Sequence, residues 1–231
     1  MQLLHRFEDS FNVYFTGIDD GDARDLVMRG VIEKELTAYT GREVRLATLH
    51  QVHSGIVHVI GTGGAKWVEV ELADGDGLVS SAKDVGLGIL VADCAPVALS
   101  SPEGIFSAVH AGWQGVLKGV LPEAVRAMRL AGASRISAYV GPSVKSECYE
   151  FKGPELREIS KELGASVVGR TSWDTVSLNL LESVKQSLIM AGVSQIEASD
   201  ACTACGEYFS YRARKSEERH LMVIVPVGGT G

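Results

Sequence analysis

The chain has 231 residues, of which 45% are hydrophobic, and its formal net charge is −7 at pH 7. A chain of this length and hydrophobicity can bury a large core within one domain. The negative charge argues against a nucleic-acid-binding surface, which requires a patch of basic residues. It does not exclude an anionic small substrate, because a few local arginines or lysines can bind one.

The sequence predicts a cytoplasmic protein that is neither secreted nor embedded in a membrane. Its first nine residues lack the long apolar segment of a signal peptide, and no apolar run is long enough to cross a membrane. Its four cysteines, Cys94, Cys148, Cys202 and Cys205, are too few to indicate a disulfide-stabilised secreted domain. We therefore expect reduced thiols.

The first half of the chain is predicted to contain mostly strands. A helix is expected from about residue 22 to residue 39, capped by Asp22 and followed by Gly41. Residues 74–77 indicate a turn, and a hairpin turn is the preferred interpretation of the glycine-rich residues 61–64. Short apolar runs predict strands at residues 13–15, 44–49, 56–60, 67–72, 86–91, 96–99 and 105–109.

The second half of the chain alternates helices with strands. The pattern predicts helices at residues 117–130, 154–163 and 178–190, and strands at residues 136–140, 196–198 and 221–227. Pairs of strands mixed with helices predict an α/β or α+β fold, in which helices cover a mixed β-sheet. No linker-like segment divides the chain, so we expect a single domain over residues 1–231.

Three residues at or near the ends of predicted strands, His53, Cys94 and His110, are the main candidates for chemistry. Two imidazoles and one thiolate suit zinc, and three protein ligands leave a fourth position open, as in catalytic zinc sites. The same residues could instead form a cysteine nucleophile with a histidine base. Taken singly, each is better explained as a packed core cysteine or a hydrogen-bonded histidine.

Two further histidines lie close to His53 in the sequence. His50 and His53 are three residues apart, a ligand spacing on a helix, but their neighbours favour a strand. Odd spacing on a strand places two side chains on opposite faces, so only one of them can face a shared site. The residues alone do not decide which one does. His58 is expected at the surface or in a pairing role.

Three weaker signals accompany these candidates. Asp93 is a candidate proton carrier beside Cys94, with a turn or a supporting hydrogen bond as its alternative role. Arg212 follows aromatic residues and is a candidate for holding phosphate or sugar, although a solvated surface explains this segment equally well. Cys202 and Cys205 have CxxC spacing, a weak zinc or redox signal for which two partly buried thiols in a turn are preferred.

Several short segments between about residues 48 and 212 together resemble the YfiH/YlmD/PgeF-like family, also described as multicopper polyphenol oxidase or laccase-domain proteins. In the family's order, they are residues 51–53, 76–80, 92–97, 108–113, 140–142, 147–150, 202–205 and 209–212. Gln114 departs from the family pattern, which usually has an arginine there, and the N-terminal part lacks the usual asparagine-rich stretch.

The resemblance implies a compact α/β fold related to cysteine-hydrolase-like proteins. It also implies a zinc ion bound by His53, Cys94 and His110, which selects His53 over His50. Family members are linked to phosphorolysis of the purine nucleosides adenosine, inosine, guanosine and methylthioadenosine, and to deamination of adenosine. A zinc-dependent purine nucleoside phosphorylase with adenosine deaminase activity is therefore the leading hypothesis.

Three alternatives stay open. Copper-dependent oxidation of phenols is disfavoured because a laccase-type reaction needs several coppers, and the six histidines are scattered. A cysteine hydrolase with Cys94 as nucleophile is the second alternative, and one branch of the family is tied to peptidoglycan editing. A structural zinc protein or partner-binding protein is the third. The sequence does not indicate an oligomeric state.

Overall fold

Two mixed β-sheets form the centre of the computed structural model, which describes residues 1–8, 11–61 and 73–227. In chain order, the strands are β1 (Gln2–Phe7), β2 (Phe11–Phe15), β3 (Arg45–Ala47), β4 (Val57–Ile60), β5 (Gly77–Ser80), β6 (Val85–Val91), β7 (Ala95–Ser100), β8 (Phe106–Ala111), β9 (Ser137–Val140), β10 (Val168–Arg170), β11 (Val176–Leu178), β12 (Gln195–Ala198) and β13 (His220–Pro226). The helices are α1 (Leu26–Thr40), α2 (Trp113–Leu117), α3 (Val120–Leu130), α4 (Pro154–Leu163), α5 (Leu180–Met190) and α6 (Tyr211–Arg214).

The strands form two large sheets and a separate hairpin of β10 and β11. The five-stranded sheet has the order β1-β2-β13-β6-β3, and the six-stranded sheet has the order β12-β9-β7-β8-β5-β4. Each large sheet combines parallel and antiparallel pairs: β3 runs parallel to β6, and β4 runs parallel to β5, whereas β13 is antiparallel to both neighbours. The α/β prediction with mixed β-structure and flanking helices is confirmed, with two large sheets in place of one.

The two large sheets pack face to face and carry helices on their outer faces. Phe11, Phe15 and Phe106 belong to the apolar core between the sheets. Helix α1 covers the five-stranded sheet through Ile32 and Leu36, while α3 and α5 cover the six-stranded sheet. Because both faces of the central strands are covered, all six residues of β8 are buried.

Helix α1 begins later than the sequence predicts. Asp25 caps it, because its carboxylate accepts hydrogen bonds from the backbone N–H groups of Val27 (2.7 Å) and Met28 (3.3 Å). The predicted cap at Asp22 was therefore wrong. At the other end, Gly41 adopts a φ of 69° and terminates the helix as predicted.

The three later predicted helices are present, and two of them begin later than predicted. Helix α4 has its predicted bounds, and α5 begins two residues later than predicted, because residues up to Leu178 belong to β11. The helix predicted at residues 117–130 is α3, which begins at Val120 because Gly119, with a φ of 75°, separates it from the short helix α2. Of the predicted residues, only Leu117 belongs to α2. No helix within the described residues is long and apolar enough to cross a membrane.

The predicted strands that lie in the described residues are present, with ends shifted by two residues or fewer. The strand predicted at residues 67–72 lies outside the described residues, as does most of the glycine-rich segment 61–64. The sequence pattern does not indicate β1, β5, β10, β11 or α6. The single domain over residues 1–231 stays a prediction.

Candidate active site

A cleft of about 750 Å³ opens where β6 and β8 end and β7 begins. A cleft of this size suits a small-molecule ligand. Its lining includes three aromatic rings and three arginines, which are Trp113, Tyr149, Tyr211, Arg24, Arg212 and Arg219. The cleft therefore offers both stacking surfaces and positive charge.

His53, Cys94 and His110 line this cleft and lie close together. One potential ligand atom from each residue lies within 4.8 Å of the other two. The Cys94 Sγ atom is 3.8 Å from Nε2 of His53, and the ring centroids of the two histidines are 4.8 Å apart. The structure therefore brings together the three residues that the sequence singled out.

Asp76 is a fully buried carboxylate that contacts two members of this cluster, His53 and His110. It accepts hydrogen bonds from the backbone N–H groups of Val52 (3.3 Å), His53 (3.0 Å) and Ser54 (2.5 Å) and from the Ser54 hydroxyl (2.7 Å). It also contacts Nδ1 of His110 at 2.8 Å. Burial opposes its charge, but the hydrogen bonds from His110 and Ser54 outweigh burial and hold the pKa of Asp76 well below its usual range.

The same network stabilises a thiolate at Cys94. Because Nδ1 of His110 donates to Asp76, Nε2 is left for the cleft side. Burial disfavours the thiolate, but the charge of His110 and hydrogen bonds from His110 and His53 lower the pKa of Cys94 to about 6. Burial also opposes protonation of His110, but Cys94 and Asp76 raise the pKa of this imidazole to about 9. The thiolate is the form of cysteine that binds metals or acts as a nucleophile.

His53 sits in a loop whose backbone is held at several points. Its φ is 55°, in the left-handed region that few non-glycine residues occupy. The Gln51 side chain donates to the carbonyl of Leu90 (2.8 Å) and accepts from its N–H (2.9 Å), and Lys118 Nζ donates to the carbonyl of His53 (2.6 Å). These contacts hold the backbone that carries the His53 imidazole, although this residue lies outside the strands.

Gly112 allows the cysteine and histidine to approach the backbone after β8. A Cβ atom at this position would lie 2.8 Å from Sγ of Cys94 and 3.1 Å from Cδ2 of His53. Both distances are too short for a side chain to fit without displacing the cluster. The glycine is therefore required by the packing of the site.

The other predicted histidines lie outside the cluster. His50 is exposed, and its Nδ1 contacts the carboxylate of Asp74 at 2.7 Å. Nε2 of His58 contacts the backbone carbonyl of Asp74 at 3.0 Å. The residues between His50 and His53 form a loop and not a strand, so strand alternation does not determine which histidine faces the cleft.

Asp93 precedes Cys94, but its carboxylate is engaged by other residues. It accepts hydrogen bonds from the hydroxyls of Thr203 (2.7 Å) and Ser210 (2.8 Å) and from the backbone N–H of Arg212 (2.6 Å). Its φ is 99°, so the chain turns sharply just before the cysteine. These contacts attach the segment of residues 203–212 to the metal-binding candidates.

Tyr149 and Arg212 form one side of the cleft. The Arg212 guanidinium lies over the Tyr149 ring, 4.7 Å from its centroid. Burial, followed by the charge of Cys94, raises the pKa of Tyr149 to about 12, so its hydroxyl keeps its proton at neutral pH. Gln114 also lines the cleft and contributes a neutral amide.

Asp76 and Tyr149 are the site residues that the sequence reasoning did not single out. In the sequence, Asp76 is part of a turn signal, and no local rule links it to His53 or His110, which are 23 and 34 residues away. Tyr149 lies within a matching family segment but has no distinctive spacing to Cys94. The only sequence signal for either residue was membership of a family segment.

A partly buried cysteine sulfur and two imidazoles beside an open cleft are the donor set of a class of mononuclear metal sites. The chain belongs to the family described as multi-copper polyphenol oxidoreductase laccase, whose model matches residues 6–226. The proposed membership of the YfiH/YlmD/PgeF-like proteins is thereby confirmed.

Relatives and solved structures agree with this assignment. The chain is 38% identical over 179 residues to the purine nucleoside phosphorylase ORF3 of Streptomyces griseus, covering 74% of this chain and 70% of that protein. It is 35% identical over 153 residues to a purine nucleoside phosphorylase of Aquifex aeolicus, covering 66% of this chain and 71% of that protein. The structure of YlmD from Geobacillus stearothermophilus matches with a TM-score of 0.77 and 25% identity over 94% of this chain and 92% of that chain.

Proposed function

We propose that this chain is a zinc-dependent purine nucleoside phosphorylase whose metal is held by His53, Cys94 and His110. The observation that carries the proposal is the convergence of three ligand atoms within 4.8 Å of one another at a cleft of about 750 Å³. The reaction class comes from the relatives, several of which are named purine nucleoside phosphorylases at 30% identity or more.

The donor set fits zinc better than a multicopper centre. Two imidazoles and one thiolate leave a position open, and zinc, when bound, supplies a Lewis acid that polarises a water or a substrate group there. A laccase-type centre needs many more ligands, but no other histidine in the described residues joins this cluster. His220 accepts the backbone N–H of Phe209, and His5 stacks on Tyr139.

The cleft supplies groups for both substrates of phosphorolysis. In this reaction a phosphate oxygen bonds to C1′ of the ribose, and the purine leaves with the electrons of the glycosidic bond. The rings of Trp113 and Tyr149 can stack on a purine, and the Arg212 guanidinium, which has no ion pair within the described residues, can bind phosphate. The protonated Tyr149 hydroxyl can donate a hydrogen bond to the departing base or to phosphate.

Asp93 fits a positioning role better than the proton-carrier role that its sequence position suggested. Its carboxylate already accepts three hydrogen bonds, one of them from the backbone of Arg212. We assign it the task of placing Arg212 beside the cleft. Proton transfer by Asp93 stays a prediction. So does deamination of adenosine in the same cleft, in which water adds to C6 of the purine and ammonia leaves.

The reaction is tested with purified protein of known zinc content, incubated with adenosine in the presence and absence of phosphate. We expect adenine and ribose 1-phosphate only when phosphate is present, and inosine in either condition if deamination occurs. His110→Ala should abolish both phosphorolysis and deamination, because it removes a metal ligand. Product formation by wild type no greater than by His110→Ala would refute the proposal.

The role of Arg212 is tested by Arg212→Gln, with Arg157→Gln as a matched control on the exposed surface of α4. Loss of a charge-assisted contact should raise the KM for phosphate about 10-fold or more and leave the KM for the nucleoside nearly unchanged. The control should behave like the wild type. Equal KM values for phosphate in the two variants would show that Arg212 does not bind phosphate.

Two measurements separate the alternatives. Elemental analysis of protein purified without added metal should find zinc, whereas stoichiometric copper would favour oxidation of phenols. Zinc removal by a chelator should speed alkylation of Cys94, because the thiolate is released from the metal. A cysteine hydrolase would instead show rapid alkylation that the chelator does not change.

A further inference from the structure

A second group of potential metal ligands lies apart from the His53, Cys94 and His110 cluster. Glu147, Cys148, Cys202 and Cys205 each offer one ligand atom, and these four atoms all lie within 4.8 Å of one another. Their burial is graded: Cys202 is buried, Glu147 and Cys148 are half-buried, and Cys205 is exposed. Three thiols from two distant segments of the chain thus meet at one point near the surface.

The local backbone is shaped to bring the CxxC sulfurs together. The chain turns after Cys202, with the N–H of Gly206 donating to the carbonyl of Cys202 at 2.9 Å. A Cβ atom at Gly206 would lie only 2.8 Å from that carbonyl oxygen, so the turn requires glycine. Arg214 holds the same turn by donating to the carbonyls of Ala204 (3.4 Å) and Gly206 (2.8 Å). Both thiols of the CxxC pair are therefore presented by one fixed turn.

A backbone donor and the close spacing of the sulfurs both suit a bound cation. The backbone N–H of Lys145 donates to Sγ of Cys202 at 3.4 Å, a contact that supports a sulfur ligand of a metal. A divalent cation stabilises several thiolates at once, so it can hold three closely spaced sulfurs at one point.

We propose that Cys148, Cys202 and Cys205 bind a structural zinc ion, with Glu147 as the fourth ligand. Thiolates are preferred ligands of zinc, and four protein ligands fill its tetrahedral coordination and leave no open position for substrate. The site differs in this respect from the His53, Cys94 and His110 cluster. A disulfide could join only two of the three cysteines and would give neither the third thiol nor the carboxylate a role.

The zinc ion would fasten two walls of the cleft to each other. Tyr149 follows Cys148 directly and lines the cleft. Thr203 lies inside the CxxC turn and donates to Asp93, the residue before Cys94, at 2.7 Å. The ion would therefore fix the position of Tyr149 relative to the turn whose Thr203 supports Asp93. This role does not depend on which reaction takes place in the cleft.

The test compares the zinc content of the full-length wild type and two reciprocal variants, all purified under reducing conditions. We expect two zinc ions per chain in the wild type. Cys94→Ser should lose one ion and Cys202→Ser/Cys205→Ser the other. Because Cys94→Ser abolishes the candidate active site, the ion that it retains reports on the second site independently of the proposed function. A Cys94→Ser protein without zinc would overturn the proposal.

Cobalt substitution gives a spectroscopic readout in the same proteins. Cobalt-loaded Cys94→Ser should show the strong thiolate-to-cobalt absorption of a site with three sulfurs, and this absorption should weaken when Cys205→Ser is added, because only two sulfurs then remain. Cys205 is exposed, so its replacement leaves the core intact, and circular dichroism verifies the fold. Undiminished absorption in that double variant would contradict the assignment. So would a Cys202–Cys205 disulfide detected by mass spectrometry in protein that has not been reduced.

Discussion

Asp76 shows how one buried charge can build a binding site. An isolated carboxylate in the protein interior would be strongly destabilising, so its hydrogen bonds must replace those that water would make. Donors from three consecutive residues, Val52, His53 and Ser54, surround Asp76 and force the loop into one conformation. The bond to His110 then orients the second imidazole. Two metal-ligand candidates thus depend on a residue that is itself no ligand.

Asp76→Asn should weaken zinc binding at this site about 10- to 100-fold. The asparagine amide group would place N–H hydrogens against backbone donors and could not accept from all of them. Affinity is measured by competition with a chromogenic chelator in a background that lacks Cys202 and Cys205. Asp74→Asn is the matched control, because its exposed carboxylate contacts His50 outside the cluster. Equal affinities for the two variants would contradict the role given to Asp76.

Gly112→Ala tests the close packing around the thiolate. The added methyl group would lie 2.8 Å from Sγ of Cys94, so the cysteine or the helix that follows must move. A displacement of about 1 Å can reduce catalysis about 100-fold, and we expect a loss of that order in phosphorolysis. Gly30→Ala in α1 meets no atom within 4 Å and should leave activity unchanged. Full activity of Gly112→Ala would show that the site tolerates the side chain.

At the scale of elements, some helix ends are determined by local capping residues and others by tertiary packing. Helix α1 carries its own start and stop signals, Asp25 and Gly41, and its bounds depend on capping geometry that recurs in any helix. The segment from α2 to α3 lacks such a simple pattern. Its apolar spacing continues through Gly119, but the positive φ of this glycine separates α2 from α3.

Asp25→Ala should lower the free energy of unfolding by about 1 kcal/mol, because two backbone N–H groups at the start of α1 lose their acceptor. Asp25→Asn keeps an acceptor oxygen at the cap and should remain close to the wild type. Urea unfolding followed by circular dichroism gives both values. If the alanine and asparagine variants are equally stable, the cap at Asp25 contributes nothing measurable.

At the scale of the whole molecule, the sequence predicts the contents of the layers better than their arrangement. Buried strands such as β6 and β7 are recognisable as apolar runs, and α4 and α5 as periodic patterns. This is because burial on one or both faces determines which positions of an element are apolar. The division into two facing sheets depends on pairings such as β13 with β6, far apart in the chain. The choice of His53 over His50 likewise depends on Asp76, which local periodicity cannot detect. Only the family segments carried that information in advance.

His220, in the central strand β13, couples the stability of the whole fold to pH. Its Nε2 accepts the backbone N–H of Phe209 at 2.7 Å, so the buried ring is neutral in the folded protein. Burial lowers its pKa from 6.5 to about 4. Between those two values the unfolded chain binds a proton that the folded chain does not. The contribution of this residue to stability therefore falls as the pH drops from about 6.5 to 4, by about 3 kcal/mol in total.

His220→Gln isolates this effect, because glutamine does not titrate and its side-chain oxygen can accept the same N–H group. Free energies of unfolding are measured in urea between pH 4 and pH 8 for both proteins, and their difference cancels the titration of all other groups. We expect the wild type to lose stability relative to the variant on acidification below pH 6.5, and the difference to be constant above pH 7. Parallel curves over the whole range would mean that the imidazole is protonated equally easily in the folded and unfolded chains, and that the Phe209 contact does not hold it neutral.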